Sequence, residues 1–195
     1  MPICKEREYR TMAVTLPNEE EYVVEGYATT FNDPYVLFSD GDKDYFESVD
    51  DRAFEGTDTS DVIFQYDHSG MVYARTKNET LQLSVDEHGL KIRANLGTTE
   101  ASRQMYEAIS AGLVDQMSFA FVVDDEDYDK ATRTRTIRHI KKLYDVSAVS
   151  IPANPGTEIS ARSAFEGYIE AEQLEELEAE KRARQRQKIK ILLEV

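Results

Sequence analysis

A histidine and a serine about fifty residues apart are the side chains of this sequence best suited to chemistry. His68 follows the apolar run 62–66, and Ser118 lies in a second apolar run, MSFAF, at 117–121. Histidine is the commonest partner that makes a serine nucleophilic near neutral pH. If the two side chains meet in the fold, the chain has the nucleophile and base of a serine hydrolase. If they do not, His68 is a structural histidine and Ser118 is a small polar residue of a strand.

A third side chain would have to orient the imidazole and balance the charge that develops on it. Asp145 is the attractive candidate, because a carboxylate in the middle of an apolar strand is costly unless it is paired. Simple alternation places Asp145 on one strand face with Leu143, Ser147 and Val149. The alternative is that this face is exposed to solvent and that the carboxylate is simply hydrated.

Two rivals for the third position remain open. His139 could take it, although a histidine beside Arg138 in a basic stretch is more often solvated. Asp67 is adjacent to His68, but neighbouring side chains of an extended backbone point in opposite directions.

Backbone amides or Arg75 are candidate donors to the oxyanion that forms when the serine attacks a carbonyl.

Other chemistries find little support in the sequence. It contains no Gly-x-Ser-x-Gly elbow, no phosphate-binding loop and no dinucleotide fingerprint. The acidic run 124–127 lacks the spaced ligands and the glycine of a calcium loop. The single cysteine, Cys4, lies near a terminus, where residues are seldom held rigidly enough for catalysis. We therefore expect neither a metal nor another cofactor.

The charge of the chain limits its partners. The formal net charge is −15, which argues against binding to nucleic acid, because phosphate backbones require clustered Lys and Arg. An acidic body suits a basic partner or substrate. The sequence has no run of the roughly 18 apolar residues that a membrane span needs and no recognisable signal peptide. We expect a soluble protein from a reducing compartment.

Hydrophobic periodicity predicts a mainly β protein. The strongest signal is a hairpin with alternating apolar residues on both arms of 81–96. A helix should follow it, capped by Thr98 or Thr99 and ended by Gly112. Further strands are predicted at 22–30, 45–49, 62–66, 116–123, 136–140 and 143–151, and the charged segment 124–134 is predicted to be an exposed loop.

The sequence divides into three parts. Residues 1–20 are polar and are expected to form a flexible arm that contributes at most an edge strand. Residues 21–162 form the expected catalytic domain. Residues 163–195 read as a charged helical extension, with Glu in its first half and Lys and Arg in its second half, an order that complements the helix dipole.

Taken together, several segments resemble the prohead proteases of tailed bacteriophages over about residues 23–162. The resemblance rests on these pieces in family order: VEGYA (24–28), YDH (66–68) followed by ART (74–76), the hairpin with HGL (88–90), the helix end ISAG (109–112), MSFAF (117–121), and LYDVS (143–147) continuing to IPA (151–153). It departs from the family after the serine strand, where the acidic segment 124–129 replaces an aromatic-rich stretch.

The resemblance implies a serine endopeptidase whose core is an assemblin-like β-barrel flanked by helices. The long C-terminal helix inferred from the residues would be an addition to this core. The family's histidine and serine fall on His68 and Ser118, and its acidic residue, Glu in many relatives, falls on Asp145. His139 stays open because assemblin itself uses a second histidine.

The resemblance also implies partners and a place of action. The expected substrates are the major capsid protein precursor with its scaffolding segment, and the protease itself. The expected location is the host cytoplasm, inside the procapsid, with possible self-association and no contact with membranes or nucleic acid. The alternatives are a non-catalytic β-rich assembly or scaffolding factor, and an esterase, which the missing serine elbow disfavours.

Overall fold

A computed structural model of the chain describes the backbone of residues 8–18, 22–150 and 155–193, and the side chains of residues 22–150 and 165–187. Within these ranges the chain is mainly β, as expected. The elements are β1 Glu8–Asn18, β2 Val23–Thr30, β3 Tyr35–Asp40, β4 Lys43–Val49, β5 Ile63–Tyr66, β6 Val72–Arg75, β7 Leu81–Val85, β8 Gly89–Asn95, α1 Glu100–Ser110, β9 Gln116–Asp129, β10 Thr134–Val149 and α2 Pro155–Leu193.

The ten strands belong to one sheet. Eight of them follow the order β3-β4-β10-β9-β1-β2-β8-β7, while β5 pairs with β10 and β6 pairs with β5. Most pairs are antiparallel, but β10 runs parallel to both β4 and β5. Among the described strands, no backbone ladder joins β3 to β7, the two ends of this order. Strands β9 and β1 therefore lie in the middle of this order, and β5 lies beside the second half of β10.

The predicted hairpin and the predicted helix are both confirmed. Strands β7 and β8 pair antiparallel from Leu81 opposite Ala94 to Val85 opposite Leu90. Helix α1 is capped by Thr99, whose hydroxyl accepts a hydrogen bond from the Ser102 amide at 3.1 Å. The chain leaves the helix through Gly112 at φ +68°, a left-handed conformation that glycine adopts without strain.

The prediction that residues 124–134 form an exposed loop is wrong for residues 124–129. Strand β9 continues to Asp129 and forms a long hairpin with β10. Cross-strand ion pairs hold this hairpin together, including Arg138 Nε to Asp127 Oδ2 at 2.9 Å and the buried Arg135 to Glu126. The two strands expected at 136–140 and 143–151 are one continuous strand, β10, interrupted by shifts in register. Strands β3 and β6 were not predicted.

The N-terminal segment contributes more to the sheet than an edge strand. Residues 8–18, which lie within the predicted arm, form β1, and β1 pairs antiparallel with both β2 and β9. Backbone hydrogen bonds do not depend on side-chain polarity, so a polar segment can occupy an interior position. The proposed boundary at residue 20 therefore lies just after an interior strand.

Helix α2 packs against strands β3, β4 and β9 through its described side chains. It begins at Pro155, before the predicted boundary at residue 163. Its Phe165 is fully buried and meets the rings of Phe38, Tyr45 and Tyr128 edge-on, with centroids 5.4 to 5.7 Å away. Beyond Glu172 the described helix residues are all exposed, although Glu175 and Glu176 form ion pairs with Lys130 and Lys43 of the body. The division of the chain into three parts stays a prediction.

Candidate active site

Strand β9 presents Ser118 on the face of the sheet that is turned away from the main core. Met117, Phe119 and Phe121 all belong to the large hydrophobic cluster inside the sheet. Because side chains alternate along a strand, Ser118 and Ala120 point to the opposite face. The apolar run that suggested a buried strand thus supplies a rigid support for a hydroxyl on its other side.

A bulge in strand β10 places Asp145 on the same face as Ser118. Leu143 is opposite Phe121, whereas Asp145 is opposite Ala120, so two steps on β10 match one step on β9. Such a bulge changes the direction in which the following side chains point. The expectation that Leu143 and Asp145 share one strand face is therefore wrong. Leu143 lies in the core, whereas Asp145 lies on the same face as Ser118 and Ser147.

His68 lies in a tight turn that directly follows β5. Asp67 and His68 both have left-handed backbones, with φ of +45° and +55°, an uncommon conformation for residues with a Cβ. The amides of Ser69 and Gly70 donate to the Tyr66 carbonyl at 3.2 and 2.9 Å. A Cβ at position 70 would lie only 2.9 Å from that carbonyl oxygen. Glycine at position 70 therefore lets the chain fold back into β6.

The carboxylate of Asp67 anchors this turn to the end of β10. It accepts hydrogen bonds from the Ser150 amide at 3.2 Å and from the Ser150 hydroxyl at 3.3 Å. The Asp67 amide donates to the Ala148 carbonyl at 3.0 Å. These three bonds offset the cost of two consecutive left-handed residues. The Asp67 carboxylate is thus bonded to Ser150, whereas the extended backbone on which the sequence argument against Asp67 relied is absent from this turn.

The three side chains singled out in the sequence lie in one hydrogen-bonded row. His68 Nε2 is 2.8 Å from Ser118 Oγ, and His68 Nδ1 is 2.7 Å from Asp145 Oδ1. A carboxylate only accepts hydrogen bonds, so the proton belongs on Nδ1, which leaves Nε2 free to accept the serine proton. Ser118 and Asp145 are each 3% exposed. The imidazole is 20% exposed and is the most accessible of the three side chains.

A fourth polar side chain, Ser147, completes the row. Its hydroxyl donates to Asp145 Oδ1 at 2.7 Å and lies 3.2 Å from His68 Nδ1. Sequence reasoning placed Ser147 on the face of Asp145 but assigned it no role. The signal was present in the spacing, because residues i and i+2 of a strand point the same way.

The rival candidates lie elsewhere. The two ring nitrogens of His139 contact the Asp124 carboxylate and the Glu55 carbonyl. Arg75 forms an ion pair with Asp61, with Nη2 2.7 Å from Oδ2, and this hydrogen bond holds the pKa of the Asp61 carboxyl below its usual range. Neither residue joins the row formed by His68 and Ser118. Cys4 lies outside the described residues.

The row of hydroxyl, imidazole and carboxylate is suited to acyl transfer. Nε2 can take the proton of Ser118 as the oxygen attacks a carbonyl, and the carboxylate can stabilise the imidazolium that results.

Among the residues with described side chains, no group of three or more His, Cys, Asp or Glu is arranged to hold a metal ion. No helix in the described part of the chain is long and apolar enough to cross a membrane.

The family model and the curated relatives that match this chain all describe prohead proteases. A family model described as caudovirus prohead serine protease matches residues 7–170. The prohead protease of Enterobacteria phage HK97 is 27% identical over 146 residues, which cover 74% of this chain and 62% of that protein. The prohead protease of Escherichia phage T5 is 25% identical over 107 residues, which cover 55% and 48%. The chain thus aligns with less than two thirds of either relative. No solved structure matches it significantly.

Proposed function

Because the chain belongs to the caudovirus prohead serine protease family, we propose that it is a serine endopeptidase of phage capsid maturation. The observation that carries the proposal is the 2.8 Å contact between Ser118 Oγ and His68 Nε2, with Asp145 at 2.7 Å on the other ring nitrogen. A non-catalytic assembly factor would have no need of this arrangement, since burying and ordering three polar side chains is costly.

In the proposed reaction, Ser118 Oγ attacks the carbonyl carbon of the scissile peptide while His68 Nε2 takes its proton. Asp145 holds Nδ1–H and balances the positive charge of the imidazolium. The tetrahedral intermediate collapses, the C–N bond breaks, and Nε2 gives its proton to the leaving amine. Water then hydrolyses the acyl-enzyme by the same steps, with His68 as base, and frees Ser118.

The substrate proposal follows the family. The chain would cleave the precursor of the major capsid protein within its scaffolding segment, and would also cleave itself, in the procapsid inside the host cytoplasm. An extended segment presents its carbonyl most easily to such a site, because no folded structure has to be opened first. For the fold, the proposal is an assemblin-like barrel, supported by the mainly β composition of the body and by the membership of all ten described strands in one sheet.

The test uses the full chain expressed together with its capsid precursor. Ser118→Ala should abolish processing of the precursor. The matched control is Ser84→Ala, because Ser84 lies exposed on β7, away from the row. A fluorophosphonate that labels serine nucleophiles should modify the wild type and the control but not Ser118→Ala. Processing that continues in Ser118→Ala would overturn the proposal.

A further inference from the structure

Ser147 is a fully buried hydroxyl between the two groups that bear charge during the proposed reaction. It is 0% exposed. Its Oγ lies 2.7 Å from Asp145 Oδ1 and 3.2 Å from His68 Nδ1. Asp145, His68 and Ser147 therefore form a closed triangle of polar atoms, on the side of the imidazole that is opposite Ser118.

This position excludes Ser147 as a second nucleophile. The nitrogen that can accept a serine proton is Nε2, and Nε2 faces Ser118 at 2.8 Å. The Nδ1 atom carries its own proton toward Asp145, so the oxygen of Ser147 can only accept a share of that hydrogen bond. The single hydroxyl proton of Ser147 is directed to the carboxylate.

We propose that Ser147 is a positioning residue that fixes the carboxylate of Asp145 against the imidazole of His68. This inference rests on the proposed function. Asp145 Oδ1 receives both the Ser147 hydroxyl and Nδ1–H, so the two donors together set the rotation of the carboxylate. Because Asp145 and Ser147 are two residues apart on one strand face, the β10 backbone itself determines their distance.

The consequence for the reaction is a fixed orientation of the base. Without the hydroxyl, Asp145 Oδ1 keeps only its hydrogen bond with Nδ1–H, so the carboxylate is less constrained and Nε2 is less well aligned with Ser118. Because Ser147 is fully buried, a substrate should not reach it, and substrate binding should be unaffected. Hydrogen bonds to charged groups are stronger than those between neutral groups. Losing the bond from Ser147 to the Asp145 carboxylate should therefore lower the rate of the chemical step about 10- to 100-fold.

The experiment measures inactivation of the full chain by a fluorophosphonate, which needs no knowledge of the cleavage site. In Ser147→Ala the maximal inactivation rate should fall about 10- to 100-fold while the half-saturating concentration stays within about twofold. The control is Ser102→Ala, which removes another buried hydroxyl, one that donates to the Leu96 carbonyl. It should keep the wild-type rate. A Ser147→Ala rate equal to that of wild type would overturn the inference.

A double-mutant cycle with Asp145→Asn separates positioning from a general structural effect. If Ser147 acts through Asp145, its removal should cost nothing further once the carboxylate is gone. An equal loss in both backgrounds would contradict the inference. The downfield proton resonance of His68 Nδ1–H gives a readout that is independent of activity, and it should move or broaden in Ser147→Ala but not in Ser102→Ala.

The two proposals fail separately. If Ser118→Ala still processes the precursor and the label reacts elsewhere, the proposed function fails. If Ser118→Ala is inactive but Ser147→Ala matches the wild type in both rate and resonance, only the role of Ser147 fails.

Discussion

Leu143 and Asp145 are two residues apart on strand β10, yet their side chains lie on opposite faces of the sheet. Leu143 is opposite Phe121 and belongs to the core, whereas Asp145 is opposite Ala120 and contacts His68. An unbroken strand would have carried Asp145 into the core along with Leu143. The bulge between them therefore places Asp145 on the same sheet face as Ser118, where the hydrogen-bonded row can form.

Removing the charge of Asp145 should disable the proposed chemistry while leaving the fold intact. Asp145→Asn can no longer hold Nδ1–H as an ionised acceptor, so Nε2 loses its role as base. We expect about a 10³- to 10⁴-fold lower rate of processing. The measurement is cleavage of the co-expressed capsid precursor, with the urea midpoint as a check on folding.

The matched control is His139→Gln, which alters the histidine that sequence reasoning kept as a rival. Its ring contacts Asp124 and the Glu55 carbonyl, away from Ser118. We expect wild-type processing. A large loss of precursor processing in His139→Gln, together with normal processing in Asp145→Asn, would show that His139 and not Asp145 orients the imidazole of His68.

The Asp67 turn offers a second prediction. Asp67→Ala removes the carboxylate that accepts from the Ser150 amide and hydroxyl, and alanine tolerates a left-handed backbone less well than Asp. His68 should then lose its fixed position. We expect about a tenfold or greater loss of activity and a loss of stability of about 1–3 kcal/mol, measured by precursor cleavage and urea unfolding.

Asp67→Asn is the control for this change. Asparagine also tolerates the left-handed conformation and keeps a carbonyl oxygen that can accept from Ser150. Its activity should lie much closer to the wild type. Equal losses in both variants would mean that the charge of Asp67, rather than its anchoring bonds and backbone preference, is what matters.

The residues of the row could be singled out from sequence because their types are conspicuous in their surroundings. His68 comes two residues after the end of an apolar strand, Ser118 interrupts another, and Asp145 is a carboxylate within a third. The family suggested by the short motifs is confirmed by the family model. The catalytic roles of the three residues stay a prediction that the variants above address.

The remaining features depend on long-range pairing that local patterns do not encode. The acidic segment 124–129 reads as a loop because Asp is disfavoured in strands, but cross-strand partners such as Arg135 and Arg138 stabilise it as part of β9. The bulge after Leu143 has no sequence signature of its own. The interior position of β1 likewise depends on backbone pairing with distant strands.

The docked part of α2 should be integral to the stability of the protein. Phe165→Ala would leave a cavity among Phe38, Tyr45 and Tyr128, and burial of this kind is worth about 3–5 kcal/mol. Leu177→Ala is the control, because Leu177 is 48% exposed on the same helix. It should change stability by no more than about 0.5 kcal/mol. Similar urea midpoints for the two variants would show that the helix does not stabilise the body.

The same contact should make the protein sensitive to alkaline pH. Burial, followed by the charge of Glu126 and the hydrogen bond to it, raises the pKa of Tyr168 to about 12. Burial, followed by its hydrogen bond to Glu172, also raises the pKa of Tyr128. In the unfolded chain these phenols ionise near their ordinary pKa of about 10.

The sign of the effect follows from proton binding. Between about pH 10 and about pH 12 the unfolded chain has released a proton that folded Tyr168 still holds. The stability that the folded state gains from keeping Tyr168 protonated in its buried site is fully present below about pH 10. It is lost as the pH rises from about 10 to about 12. Urea unfolding across the window should give a free energy of unfolding that falls with pH. Tyr168→Phe cannot ionise at this position, so its curve should be flatter, and parallel curves for the two proteins would contradict the assignment.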